Sequence, residues 1–417
     1  LIKFFGGGNL IAAIERMSGL KWKAQGPAFL VAGGHSAIHW IIATIYILLP
    51  FIREDLGLSY TEVGSLISVF HAASLVANVG SGAVVDITGR RVVIQVASLF
   101  VGGIALILVG LAKDIWILAA LLVFVGLTNN LWHPAAIAYL SRTYPESRGY
   151  TLSLHTLGAS LGDTISPLVA GLLLLWLPWQ GAASFTALPV FAVALALFIT
   201  LGRDEKVERR IDTGESESEM GLRAYLKGLV GLFRDRAVFG LCVMSGFRSM
   251  CQSGLLVYLP MLLKNTFGFG PVLLGFALTI MQIGGMISGP VAGIVSDKAG
   301  RQPVILGGLI ATTLIVFSFT FNMDPMLVIP LLCLLGCSLF SVRPVIHGWA
   351  MDLAPSEMHG SAVSLLFATQ SLFSLLVPVV GGVVADTWGL SAVFYGLAGA
   401  MFVATIMASI MSDSRQN

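Results

Sequence analysis

GAVVDITGRR, Gly82 to Arg91, recurs 211 residues later as GIVSDKAGRQ, Gly293 to Gln302. Each copy joins two long apolar runs through a few polar residues. Its glycines permit a tight turn, its Asp can sit at a helix end, and its Arg can pair with that Asp or with a neighbouring helix. The same offset aligns SLHTLGASLGDTISPLVAG, Ser153 to Gly171, with SLLFATQSLFSLLVPVVGG, Ser364 to Gly382, matching Ser153 to Ser364, Pro167 to Pro378 and Gly171 to Gly382. A shift of 210 pairs His133-Pro134 with Arg343-Pro344. Three matches in the same order predict a duplicated chain. A two-fold repeated helical bundle carries its solute path on the axis between the halves, near the bilayer midplane.

The composition around these repeats is that of a membrane protein. Of 417 residues, 56% are hydrophobic and 11% charged, with a mean hydropathy of +0.88. Soluble domains carry about 25% charged residues, and a chain with so few could not cover a water-exposed surface. The apolar stretches are continuous rather than alternating, which predicts helices rather than a barrel. Cys242, Cys251, Cys333 and Cys337 all lie inside apolar stretches and read as small buried hydrophobes rather than disulfides or a metal site. Lys3 to Lys23 is basic and amphipathic and runs directly into a full-length span, so no cleavable signal peptide is expected.

Twelve spans are predicted: 26–52, 60–85, 92–112, 115–141, 149–177, 181–202, 237–263, 270–296, 303–322, 325–351, 360–385 and 389–411. They divide into a cytoplasmic segment 1–25, a six-helix bundle 26–202, a linker 203–236, a second six-helix bundle 237–411 and a tail 412–417. The linker opens on RDEKVERRIDTGESESEM, the one strongly polar run, and closes on an amphipathic surface helix from Gly221 to about Arg236. With both termini inside, nineteen of the twenty-four Lys and Arg fall on cytoplasmic segments. Only Arg53, Lys113 and Lys264 fall outside, and Arg248 and Arg343 lie within spans. That bias predicts cytoplasmic termini in a bacterial inner membrane and supports an even number of spans.

The G-x-x-x-D-x-x-G-R pattern, present in both halves, resembles the loop signature of the major facilitator superfamily. The resemblance implies twelve transmembrane helices in two pseudo-symmetric bundles and transport by alternating access. It further implies that Gly82, Asp86, Gly89, Arg90, Gly293, Asp297, Gly300 and Arg301 form a cytoplasmic gate that latches the outward-facing state. Ile87 and Gln302 depart from the pattern, where basic residues are usual. HPAAIAYLS, His133 to Ser141, and the glycine-rich fifth span are similar to the fosmidomycin-resistance type of transporter. Gly158, Gly162, Pro167 and Gly171 are similar to a glycine-proline motif of antiporters, with Asp163 where a small residue is ordinary.

Charges inside a bilayer cost at least about 2.5 to 3.5 kcal/mol and usually face a partner or water. The deep ones here are Asp163, Arg248 and Arg343. In the family resembled, helices one, four, seven and ten line the central cavity, which would bring His35, His39, His133, Arg248, Arg343 and His347 to it. Guanidinium groups match carboxylate, phosphonate or phosphate and keep their charge, so an anionic organic solute is expected. Its expected ligands are Arg248, Arg343, His39, His133, Asn130, His347, Gln252 and Gln370. The opposing expectation is that one Arg pairs with Asp163 and merely holds the halves together. Proton coupling is expected at Asp163 and His35, the groups suited to titrate between the two sides; His71 and His155 are given no role.

Efflux of drugs or toxic metabolites by antiport is the alternative. Divalent metal transport through His35, His39, His133 and Asp163 is opposed by the two arginines. A membrane enzyme is opposed by the absence of a nucleotide loop, metalloprotease helix or nucleophile elbow. The expected partners are thus a small solute, protons and lipid, with no catalytic residue, cofactor, bound metal or nucleic acid, in a monomer.

Overall fold

The structure, a computed structural model, describes residues 10–208, 231–232, 234–321, 323–354 and 359–411. A short amphipathic helix, α1 (Leu10–Ser18), precedes twelve long ones among the described residues. The first six are α2 (Gly26–Asp55), α3 (Tyr60–Thr88), α4 (Arg91–Val109), α5 (Ile115–Thr143), α6 (Arg148–Leu173) and α7 (Trp179–Glu208). The second six are α8 (Arg236–Asn265), α9 (Pro271–Ala299), α10 (Arg301–Ser318), α11 (Pro325–Leu353), α12 (His359–Trp388) and α13 (Leu390–Ile410). The linker 203–236, with its expected surface helix, and the tail 412–417 lie largely or wholly outside the described residues.

Ten of the twelve are apolar and long enough to cross a membrane, and α3 makes an eleventh span, bent by 46° between Asn78 and Gly80. The twelfth, α8, has 30 residues but carries Arg248, Gln252 and three serines in its middle, which lowers its hydropathy. Large side chains such as Phe124, Phe198, Leu314 and Phe402 point outward from the bundle. Such a surface is stable only against lipid. The chain is a multi-pass, all-α membrane protein.

Local chemistry sets the helix ends. Asp114, Asp235 and Asp324 accept hydrogen bonds from the first-turn amides of α5, α8 and α11. Pro271 and Pro325 open α9 and α11, where the missing N–H has no intrahelical partner to lose. The repeated motif glycines Gly89 and Gly300 end α3 and α9 with φ of +59° and +95°. Those backbone angles are strained for any residue with a Cβ, which explains why glycine recurs at the same place in each copy.

Packing repeats with the sequence. In the first six helices α2 packs on α6 and α7, α3 on α5, and α4 on α5 and α7; in the second six α8 packs on α12 and α13, α9 on α11, and α10 on α11 and α13. Three further interfaces join the sets: α3 with α12, α6 with α9, and α2 with α8. They lie toward the face opposite the two motifs. There Gly64, Gly171, Gly275 and Gly382 each sit where an added Cβ would strike backbone of the other set. At the motif face Gly80, Gly82, Gly289 and Gly293 have open space around them, and α5 and α11 do not pack together. The bundle is therefore closed at one face and parted at the other.

Candidate functional site

The parting leads to a cluster of histidines in the first six helices. His35 and His39, one turn apart on α2, meet His133 on α5 and His155 and Asp163 on α6. His39 Nδ1 lies 3.0 Å from Asp163 Oδ2, with the two side chains 26% and 28% exposed. His35 Nδ1 lies 2.6 Å from the His155 carbonyl oxygen, and His133 Nδ1 lies 2.6 Å from that of Asn129. The two remaining nitrogens, His35 Nε2 and His133 Nε2, face one another at 3.1 Å. The His155 ring stacks on His35 at 3.8 Å between centroids and lies parallel to Trp132, which is fully buried.

Glycine makes this meeting possible. Gly158 and Gly162 bring α6 against the backbone of α2 at Ala32 and Ser36, leaving no room for a Cβ. The glycine-proline stripe thus has a packing role. His155, Gly158 and Gly162 follow the i, i+3, i+7 spacing of one helical face, a signal that sets His155 among the cluster and that single-residue reading passes over. His71, also given no role from sequence, crosses to the other half: Ser253 Oγ lies 3.2 Å from its Nε2 and 3.3 Å from the Ser374 carbonyl oxygen.

Among the described residues the intramembrane arginines of the second half, Arg248 and Arg343, are in no ion pair with a carboxylate. Arg248 on α8 is 2% exposed and donates through Nη2 to the Leu339 carbonyl oxygen at 2.7 Å, while its Nε is buried with no partner. Arg343 on α11 is exposed at the parting and acts electrostatically on His133 and Asp163 of the other half. His347, one turn further on α11, has Nε2 buried with no partner. Among the described residues no ion pair joins either arginine to Asp163, which is held by His39 instead. Of the amides, Gln370 donates to Ser245 Oγ, bridging α12 and α8. Asn130 reaches the Gly126 carbonyl oxygen at 3.5 Å, and Gln252 on α8 is half-buried.

His35, His39 and His133 bring one ring nitrogen each within 4.8 Å of one another. Arg343 adds positive charge beside them, which opposes a divalent ion at that place. At the gate motif of the second half, Arg301 donates to Asp297 at 2.6 Å, to Ser296 at 2.8 Å and to Asp352 at 2.8 Å, tying the α9–α10 turn to the end of α11. In the first half Asp86 and Arg90 are exposed, and among the described residues no ion pair joins them to another helix.

Comparison with known proteins agrees with this architecture. The profile of the Major Facilitator Superfamily matches residues 31–372 and 241–416. The chain is 23% identical over 373 residues to the multidrug resistance protein MdtG of Citrobacter koseri, covering 84% of this chain and 86% of that one. It is 23% identical over 383 residues to the probable sulfoacetate transporter SauU of Cupriavidus necator, covering 88% of each. Among solved structures it superposes on the nucleoside transporter NupG with a TM-score of 0.75 at 14% identity, covering 93% of this chain and 99% of that one. A bacterial homologue of the human lysosomal transporter Spinster gives 0.71 at 15% identity, covering 94% and 96%.

Proposed function

The chain belongs to the Major Facilitator Superfamily, and on that footing we propose that it carries a small anionic organic solute across a bacterial inner membrane, coupled to protons. Its relatives are transporters rather than enzymes. The motif face lies on the cytoplasmic side with both termini, so the conformation described is open inward. The first-half copy of the gate motif engages when the halves rock the other way, and its exposed Asp86 and Arg90 accompany the parting of α5 from α11, while the second-half copy stays tied within its own half through Arg301.

One observation carries the solute's charge. Arg343 stands exposed at the parting without a carboxylate, backed by Arg248 and His347, while the one deep carboxylate, Asp163, is already bound to His39. A guanidinium facing water between the halves suits a carboxylate, sulfonate or phosphonate. His39, His133, Asn130, Gln252 and Gln370 complete the proposed pocket, and Asp163 and His35 carry the proton. The naming of SauU as a probable sulfoacetate transporter supports the anionic class.

The test is a binding screen on purified protein with sulfoacetate, phosphonates, dicarboxylates and cationic drugs, repeated on Arg343→Ala and Arg248→Ala. Anions should bind best and weaken at least tenfold in Arg343→Ala, about the loss of one charge-assisted contact. Preferential binding of cationic drugs, retained in both variants, would refute the anionic solute. That outcome would favour the efflux reading, which the likeness to MdtG supports.

A further inference from the structure

We infer that His35 and His133 hold one proton between their Nε2 atoms, and that this proton is taken up together with an anion at Arg343. The inference rests on the proton-coupled anion reading and gives the coupling a place and a cause.

The hydrogen bonds of the two rings fix their tautomers. Each Nδ1 of the pair lies 2.6 Å from a carbonyl oxygen, of His155 for His35 and of Asn129 for His133. A carbonyl oxygen has only lone pairs to offer, so both Nδ1 atoms must carry hydrogen. A neutral imidazole has one such hydrogen, which leaves both Nε2 atoms as acceptors. They nevertheless face each other at 3.1 Å, too close for a water to stand between. Two lone pairs at that distance repel. One added proton converts the contact into N–H···N and gives the two rings a single positive charge.

The surroundings supply the linkage. The groups acting on the pair are His39 from α2, His155 from α6 and Arg343 from α11, with Asp163 of α6 reaching it through His39. α3 turns its histidine, His71, toward Ser253 instead, and neither α4 nor α7 brings a charge to the pair. Arg343 is permanently cationic and opposes a proton on His133. An anion on Arg343 cancels that opposition, so the proton binds more tightly when the anion is present, and the anion more tightly by the same factor when the proton is present. A monoanion and one proton then cross together with no net charge moved.

Nitrogen NMR of the full chain labelled with 15N-histidine, without any solute, tests the pair. The expected result is one proton shared by the two Nε2 atoms, lost from both rings in a common step on raising pH. In Arg343→Gln the pair should keep its proton to higher pH. Two independent, bare Nε2 signals over about pH 5 to 8 would overturn the shared proton. So would a stoichiometric metal ion on these nitrogens in the purified protein, and an unmoved titration in Arg343→Gln would overturn the linkage.

Proton uptake on adding sulfoacetate in weak buffer tests the coupling. At a pH just above that at which the solute-free pair loses its proton, uptake approaching one proton per bound anion is expected for the natural chain, and about none for His35→Gln or His133→Gln. Sulfoacetate binding without proton uptake overturns the inference and leaves the anionic solute standing. Failure of every sulfonate, phosphonate and carboxylate to bind removes the anionic reading and the linkage with it.

Discussion

Thr61 and Asp386, from opposite halves of the bundle, are joined by two hydrogen bonds: the Asp386 carboxylate accepts from the Thr61 backbone N–H at 2.8 Å and from its hydroxyl at 2.6 Å. It also accepts from the Tyr60 N–H at 2.9 Å. The first-turn amides of α3 are thus capped partly by α12, alongside the capping box that Ser59 and Glu62 form within their own half. A carboxylate at a helix N-terminus meets both free donors and the positive end of the helix dipole. Lys264 donates to Glu54 nearby, and Asn265 to Tyr60 Oη at 3.3 Å. Together these contacts hold shut the face opposite the gate motifs.

Removing the carboxylate should loosen that face. Asp386 is exposed, so its contribution is expected to be about 1 kcal/mol, a several-fold change in the balance between inward-open and outward-open forms. Spin-label distances between the ends of α3 and α12 should broaden toward longer values in Asp386→Ala. Distances identical to the natural chain would show that close packing alone keeps the face shut.

Glycines at the two faces should respond in opposite ways. A Cβ on Gly64 would collide with the Pro378 backbone, and one on Gly382 with that of Thr61, so Gly64→Ala and Gly382→Ala should disfavour the conformation described. Gly82 has open space around it here, and Gly82→Ala leaves this conformation undisturbed while hindering closure of the motif face. Cysteine accessibility at the two faces should therefore shift in opposite directions. A parallel shift would contradict the placement of the two interfaces.

Much of the fold was legible because its causes are local or periodic. Apolar length marks a span, glycine with positive φ marks the motif turns, and the repeat offset aligns Pro167 with Pro378. The site was less legible, because it depends on helix rotation and on approach between helices distant in sequence. Arg248 and Arg343 look alike in the sequence, yet one is enclosed against Leu339 and the other faces the parting. His155 gains its neighbours only where α6 lies on α2, and His71 its partner only where α3 meets Ser253 of α8 beside α12. Asp386 is unremarkable at a helix end until α3 meets it.

Arg301 should matter for stability before it matters for transport. Its guanidinium, largely enclosed, spans Asp297 and Asp352, and the planar fork makes both bonds at once. Arg301→Ala should lower the melting temperature and cost about 1 to 3 kcal/mol, and Arg301→Lys should recover only part of it because an ammonium cannot reproduce the fork. Full recovery by Lys would reduce the contact to simple charge.

The two intramembrane arginines should separate binding from folding. Arg343→Gln removes an exposed cation and is expected to weaken anion binding at least tenfold while the melting temperature stays nearly constant. Arg248→Ala leaves a cavity in packed surroundings and frees the Leu339 carbonyl oxygen, so destabilisation of roughly 3 kcal/mol is expected, with lower yield of folded protein. Measuring both quantities on both variants decides the assignment. A stable Arg248→Ala protein that has lost binding would move the anion site from Arg343 to Arg248.

Asp163→Asn should uncouple transport from the proton gradient. In the natural chain the carboxylate faces His39 Nδ1 at 3.0 Å, and both groups are partly open to the parting, so protons reach them from the open side. The amide keeps the shape and can still bond to His39, but it has no charge and cannot take a proton from the open side and pass it by way of His39 to the His35–His133 pair. In vesicles the variant should lose accumulation driven by an imposed pH difference while retaining exchange of labelled for unlabelled solute, which needs only the rocking of the loaded protein. His39→Gln, which removes the imidazole partner and spares the carboxylate, should impair accumulation less. Undiminished pH-driven accumulation in Asp163→Asn would leave the proton to His35 and His133 alone.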